Sequence, residues 1–148
     1  MDYRKEHFVV DGALRDLCVL DARGEDWHRM ISALSSSGWE VSFTTTLSDG
    51  PASAPGDAEE LFRQLLLDAE ASATLAILVD GIWFACYFFD KEEIEFTFDP
   101  EDVPDETSFE SVEKFMKWLG DSCGQPVVMT MEGTDHRSMP VLLEYVPS

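Results

Sequence analysis

An Asp-Gly dipeptide between two apolar segments constrains the fold of this chain more than any other feature of its sequence. Asp80 and Gly81 separate residues 73–79 from residues 82–89, which read IWFACYFF. Asp-Gly in this position is typical of a two-residue β-hairpin turn, because both of its residues tolerate positive φ. Such a turn pairs Val79 with Ile82, and this register decides which side chains share each face of the hairpin.

The register predicts one strongly apolar face, formed by Leu75, Ile77, Val79, Ile82, Phe84, Cys86 and Phe88. The opposite face carries Thr74, Ala76, Leu78, Trp83, Ala85, Tyr87 and Phe89. A third strand, residues 94–98, alternates Ile94, Phe96 and Phe98 with polar residues. If an odd number of residues connects it to the hairpin, these three join the apolar face. An even number would bury Glu95 there, which is costly, so we expect the odd register.

In the odd register, Glu93, Glu95, Thr97 and Asp99 lie on the same face as Trp83 and Tyr87. That face then combines carboxylates with aromatic side chains. It is the first candidate for a functional surface.

Helical periodicity occurs in residues 25–38, 57–71 and 107–121. Asp57 is the expected N-cap of the second helix, and Thr107 and Glu110 have capping-box spacing in the third. Gly38 and Gly120 are expected to end the first and third helices.

Four further segments have strand character: residues 14–20, 39–46, 126–132 and 141–146, the last two forming an expected hairpin. The predicted order is β-α-β-α-β-β-β-α-β-β. This order indicates an α+β fold with a mostly antiparallel sheet, a central three-stranded meander and three helices packed mainly on one side.

The length predicts one domain, residues 1–148. Residues 47–57 are rich in Gly, Pro, Ser and Ala, which favours a mobile loop rather than a domain boundary. The first residues form no apolar signal segment, and no apolar run is long enough to span a membrane. Three cysteines cannot all pair within the chain, and Cys18 and Cys86 lie in apolar runs. We therefore expect a reduced, cytoplasmic protein that does not bind membranes.

The net charge is extreme, with 30 acidic residues against 10 Lys and Arg and a formal charge of −20. Such a chain repels nucleic-acid phosphates and anionic membranes, so direct binding to either is not expected. A basic protein or a cation is the favoured type of partner.

No local sequence motif predicts a catalytic or metal-binding function. His7, His28 and His136 are far apart and lack zinc-site spacing. Residues 99–106, DPEDVPDE, lack the calcium-loop pattern. We therefore predict no catalytic residue, no metal ligand and no cofactor. A Cys-His pair assembled in space, or acid-base catalysis by Glu93 and Glu95, would escape such a search.

The acidic residues are concentrated, because residues 90–113 hold eleven acids and a single Lys91. A solvated face would explain negative charge, but it does not require charge of one sign. We predict a docking surface for a cationic protein, in which aromatic side chains serve as anchors. Its predicted residues are Trp83, Tyr87, Glu93, Glu95, Asp99, Glu101, Asp102, Asp105 and Glu106.

Two stretches, GALRDLCVLDARGEDWHRMISAL and DGIWFACYFFDKEEIEFTFDPEDV, resemble small acidic bacterial proteins associated with polymorphic and contact-dependent toxin systems. The resemblance is to immunity proteins, covers most of the chain and rests mainly on structural motifs. It implies a cytoplasmic, non-enzymatic protein that binds one cognate toxin, as a monomer or a 1:1 heterodimer. The acidic face would dock on the basic active-site cleft of the toxin, and Glu93→Lys with Glu95→Lys would weaken binding without harming the fold.

Two other functions stay open on the sequence alone. One is a small hydrolase that reverses a modification made by a toxin, with His28, Cys123 and the region of Asp90 as candidate residues. The other is a homodimeric adaptor that uses an edge strand or an aromatic patch, although identical acidic faces repel each other.

Overall fold

The computed structural model describes residues 1–48 and 54–148. Its strands and helices are β1 (Arg15–Val19), α1 (Gly24–Ala33), β2 (Glu40–Thr45), α2 (Ala58–Leu67), β3 (Ala73–Val79), β4 (Ile82–Cys86), β5 (Ile94–Phe98), α3 (Glu106–Cys123), β6 (Val127–Met131) and β7 (Leu143–Tyr145). This order confirms the predicted α+β fold. Residues 49–53 of the predicted loop lie outside the described residues.

The described strands form one antiparallel sheet of seven strands, in the order β2-β3-β4-β5-β1-β6-β7. The predicted meander, β3-β4-β5, supplies the second, third and fourth strands in this order. The first strand of the chain, β1, lies between β5 and β6. Side chains of β1 therefore lie inside the sheet, between two strands from the second half of the sequence.

The hairpin register is the predicted one. Val79 pairs with Ile82 around a turn in which Asp80 and Gly81 have φ values of 48° and 90°. Ala85 pairs with Thr97, so β5 adopts the odd register. Its apolar side chains consequently point to the apolar face of the hairpin, and all three are buried: Ile94, Phe96 and Phe98.

All three helices of the described chain contribute side chains to a single core on this apolar face. Phe115 of α3 stacks on Phe84 with ring centroids 4.2 Å apart. Trp27 of α1 packs against Phe62 of α2 and against Phe88. The helices thus cover one face of the sheet, and the opposite face is left to loops and solvent. None of the described helices has the length and apolar character needed to cross a membrane.

The predicted N-cap of α2 is correct, since the side chain of Asp57 accepts hydrogen bonds from the backbone N–H groups that follow it. The predicted caps of α3 are wrong. Asp105, two residues earlier than expected, forms the capping box with Ser108. The helix ends at Gly124, with φ of 68°, and not at Gly120. Gly120 has a packing role instead, because a Cβ there would lie 2.8 Å from the Tyr145 ring.

Candidate functional site

Asp16 lies in β1 with its side chain on the face of the sheet opposite the helices. Its Cα pairs with those of Thr97 and Thr130 on the neighbouring strands, and only 1% of the residue is exposed. A carboxylate buried to this degree needs hydrogen-bond donors. The β6–β7 connection supplies two, because Gly133 N donates to Oδ2 at 3.1 Å and His136 Nε2 lies 2.9 Å from the same oxygen.

His136 opens a short 3-10 turn in this connection and is 3% exposed. Its other ring nitrogen, Nδ1, lies 2.8 Å from Glu93 Oε1, and Nε2 lies 3.4 Å from Glu95 Oε1. Glu93 immediately precedes β5 and Glu95 lies within it, so three distant segments of the sequence meet here. We call Asp16, Glu93, Glu95 and His136 the His136 cluster.

The surroundings of Glu95 and of His136 shift the pKa values of both side chains. Burial, together with the hydrogen bond and the negative charge of Asp16, raises the pKa of Glu95 to about 7. Burial alone would lower the pKa of His136, but hydrogen bonds to Asp16 and Glu93 outweigh it and raise the pKa above its ordinary value. The cluster therefore favours a protonated imidazole and a Glu95 that exchanges its proton near neutral pH.

The four side chains of the His136 cluster line an open cleft with a volume of about 700 Å³. Tyr87 and Phe89 line the same cleft, and their rings stack with centroids 5.6 Å apart. Both rings also line a second hollow of about 290 Å³, which they share with Leu65 and Leu66 of α2. We call Tyr87 and Phe89 the aromatic ridge, because they separate an acidic cleft from an apolar hollow.

The structure divides the predicted partner-binding residues into two groups. Tyr87, Glu93 and Glu95 line the cleft. Continuing the strand register from β4 to β5 puts Trp83 beside Asp99, four residues along the strands and thus roughly 13 Å from the first group. Ala85 and Thr97 lie between the two groups on the same face of the sheet.

Glu93 and Glu95 are less exposed than a solvated acidic face would require. Their side chains are 16% and 21% exposed, because the β6–β7 connection folds over this end of the sheet and brings His136 onto them. The expectation that two lysines at these positions would leave the fold intact conflicts with this contact. Two ammonium groups would face the imidazole in place of two carboxylates.

Acids in the second group have local structural roles. Asp99 Oδ1 accepts a hydrogen bond from Glu101 N and begins the 3-10 turn Pro100–Asp102. Asp105 Oδ1 accepts one from Ser108 N at 2.8 Å and caps α3. The exposed residues of this group are Asp99, Glu101, Asp102, Asp105 and Glu106. Helix starts prefer such acids, so capping explains part of the charge there without a partner.

The residues considered for a hydrolase do not meet. His28 is exposed on α1, and Cys123 is buried in the core, away from the cleft. Burial raises the pKa of Cys123 to about 12, and that of Cys86 likewise to about 12. Burial also raises the pKa of Cys18, which is fully buried. These thiols are protonated at neutral pH, which disfavours a cysteine nucleophile.

Sequence reasoning missed Asp16 and His136 as site residues. Asp16 could have been identified from the sequence. It lies inside the apolar strand LRDLCVL, where a buried carboxylate requires a hydrogen-bond partner. No sequence pattern identifies His136 as a site residue, because its partners lie in β1 and around β5, far from it in sequence. Only the path of the β6–β7 connection brings it to them.

Comparisons with models of protein families, with curated proteins and with solved structures gave no significant match. The resemblance to immunity proteins therefore stays a prediction, and the geometry of the cleft is the main guide to function.

Proposed function

We propose that this protein is a cytoplasmic immunity protein that binds and neutralises a basic toxin through its aromatic ridge and the acidic cleft beside it. The observation that supports this proposal is the exposure of Tyr87 and Phe89, at 42% and 79%, on a face of the sheet that the helices leave uncovered. Large aromatic side chains in such positions are typical anchors of protein interfaces.

The chemistry on either side of the ridge suits a basic partner. Asp90 and Glu92, next to the ridge in sequence, are exposed, and Glu93 and Glu95 lie deeper in the cleft. A Lys or Arg side chain of the partner would enter the acidic cleft, while an adjacent apolar residue would fill the hollow beside Leu66. Attraction between the two proteins would speed their association, and salt would slow it.

The resemblance to immunity proteins gives this binding a purpose. Many toxins of these systems act on nucleic acids or nucleotides and carry basic clefts. A carboxylate-rich surface would occupy such a cleft in place of the substrate phosphates. The acids at the start of α3 would then contribute to the long-range field more than to direct contacts.

Affinity capture with matched baits tests the proposal. The tagged protein, Phe89→Ser and Trp83→Ser would be incubated with extract of the native host and washed at low and then high salt. Trp83 is the control, because it is an exposed aromatic residue on the same face but outside the ridge. We expect the wild-type protein and Trp83→Ser to retain one basic protein that salt releases, and Phe89→Ser to lose it.

The captured protein must also be neutralised. Its expression alone should stop bacterial growth, co-expression of the wild-type protein should restore growth, and Phe89→Ser should not. Equal retention by all three baits, or loss with Trp83→Ser alone, would overturn the placement of the interface. A concentration-dependent dimer that Phe89→Ser abolishes would favour the homodimeric adaptor instead.

A hydrolase is the second candidate function, and the specific observation that favours it is the convergence of His136 with Asp16, Glu93 and Glu95 in one open cleft. Clefts with several ionisable groups of altered pKa are common at active sites. Stoichiometry separates the two functions. An occluding protein neutralises one toxin molecule per copy, whereas a hydrolase would act at a small fraction of the toxin concentration and lose this ability with Glu95→Gln.

A further inference from the structure

We propose that Asp16, Glu95 and His136 bind a divalent transition-metal ion, such as Zn²⁺ or Mn²⁺, and that Glu93 orients the histidine ligand. One donor atom from each of the three residues lies within 4.8 Å of the others. This site goes beyond the binding surface proposed above and does not depend on it.

The spacing of the donor atoms suits one ion. Metal–ligand bonds of about 2.1 Å place neighbouring donors about 3.0 Å apart in octahedral and about 3.4 Å apart in tetrahedral geometry. His136 Nε2 lies 2.9 Å from Asp16 Oδ2 and 3.4 Å from Glu95 Oε1. Small movements of these side chains would therefore complete the coordination.

The second nitrogen of the ring is already held as it is in many metal sites. His136 Nδ1 lies 2.8 Å from Glu93 Oε1, which leaves Nε2 directed at the two other carboxylates. A carboxylate on the far nitrogen fixes the ring and makes the near nitrogen a stronger ligand. Glu93 is therefore a positioning residue in this site.

The charge balance of the cluster also favours a cation. Three carboxylates face one imidazole, and within residues 1–48 and 54–148 His136 is the only cationic side chain paired with any of them. Even a protonated His136 leaves an excess of negative charge in a region largely shielded from water. A divalent ion supplies two positive charges at this point, and the imidazole then binds as a neutral ligand.

The donor set and the cleft indicate the class of metal. Two carboxylates with one imidazole suit Zn²⁺, Mn²⁺ or Fe²⁺ better than Ca²⁺ or Mg²⁺, which prefer oxygen alone. Three protein ligands leave at least one position open toward the cleft. Cys18 Sγ forms a competing set with Glu93 and His136, and a thiolate ligand would identify that set instead.

The test is a titration of chelator-treated full-length protein with Co²⁺ and Zn²⁺, followed by calorimetry and by the visible spectrum of Co²⁺. The variants are Glu95→Gln and, as a matched control, Glu132→Gln. Glu132 lines the same cleft outside the proposed ligands, and its Oε1 accepts a hydrogen bond from Leu14 N that a glutamine can keep. Both changes replace a carboxyl group with an amide, and neither deletes the imidazole on which the fold depends.

We expect one bound ion per chain, an affinity at least about 10-fold weaker for Glu95→Gln, and wild-type affinity for Glu132→Gln. The Co²⁺ spectrum should lack a sulfur-to-metal charge-transfer band. Absence of binding, equal weakening by both variants, or a sulfur band that Cys18→Ser removes would each overturn the proposed ligand set.

Discussion

The imidazole of His136 lies 2.9 Å from the buried carboxylate of Asp16, although the two residues are 120 positions apart in the chain. The contact holds the β6–β7 connection against β1. The connection therefore covers part of the face that the helices leave uncovered. The same ring that makes the cleft chemically distinctive is therefore part of what holds the fold together.

Replacing His136 with alanine should strongly destabilise the protein. The change leaves Asp16 and Glu93 without their shared partner, and breaking a buried pair from one side typically costs about 3–5 kcal/mol. His28→Ala is the control, because His28 is exposed, and it should change the free energy of unfolding by less than about 0.5 kcal/mol. Urea denaturation in the presence of a chelator measures both. Similar values for the two variants would show that the ring contributes little to folding.

Trp27 connects the core to the acidic cleft. Its Nε1 donates a hydrogen bond to Lys91 O at 2.8 Å, and Ala22 N donates to Glu92 O, so α1 and its start hold the β4–β5 connection that carries Glu93. Trp27→Phe should cost about 1–3 kcal/mol, because Lys91 O loses its buried donor. Denaturation measures this cost, and a Co²⁺ titration of the same variant should give weaker binding as Glu93 shifts. Undiminished Co²⁺ affinity would show that the hydrogen bond from Trp27 does not determine the position of Glu93.

Arg15 is 1% exposed and holds the segment before β1 with its guanidinium. Nε donates to His7 O at 2.8 Å, and Nη2 donates to Val9 O at 2.9 Å. A lysine cannot reproduce this fork, so Arg15→Lys should lower the free energy of unfolding by about 2–3 kcal/mol. Arg63→Lys, on the exposed surface of α2, should leave the denaturation midpoint unchanged. If neither Arg15→Lys nor Arg63→Lys changed the free energy of unfolding, the positive charge of Arg15 alone would account for its contribution to stability.

The central part of the fold could be predicted from the sequence because local signals determined it. Asp80-Gly81 specified the hairpin, and alternation placed Phe96 on the apolar face once an odd register was chosen. The cost of burying Glu95 beside Phe84 excluded the other register. Apolar residues recur every 2 residues in the strands and about every 3.6 residues in the helices, and this periodicity was sufficient to predict the order of the elements.

The site could not be predicted in the same way, since its geometry depends on a long connection without periodicity. The segment between β6 and β7 could have pointed to solvent, and in that case Glu93 and Glu95 would have formed the exposed acidic face expected of them. Its fold across the sheet buries them against His136. The capping of α3 failed for a simpler reason. Asp105-x-x-Ser108 and Thr107-x-x-Glu110 are overlapping signals, and the sequence does not rank them.

The acids before α3 provide a test of how much of the negative charge is structural. Asp105→Ala should lower the melting temperature, since Ser108 N loses its acceptor, whereas Glu101→Ala, an equally exposed acid without a capping bond, should not. The backbone hydrogen bond from Ser108 holds the pKa of Asp105 below its usual range. Asp105 therefore stabilises the fold fully above the ordinary aspartate pKa of about 3.9, and this stabilisation is lost as the pH falls through the lowered pKa. The difference in melting temperature between wild type and Asp105→Ala should accordingly shrink in acid, and a difference that stays constant from neutral to strongly acidic pH would exclude the capping carboxylate as its source.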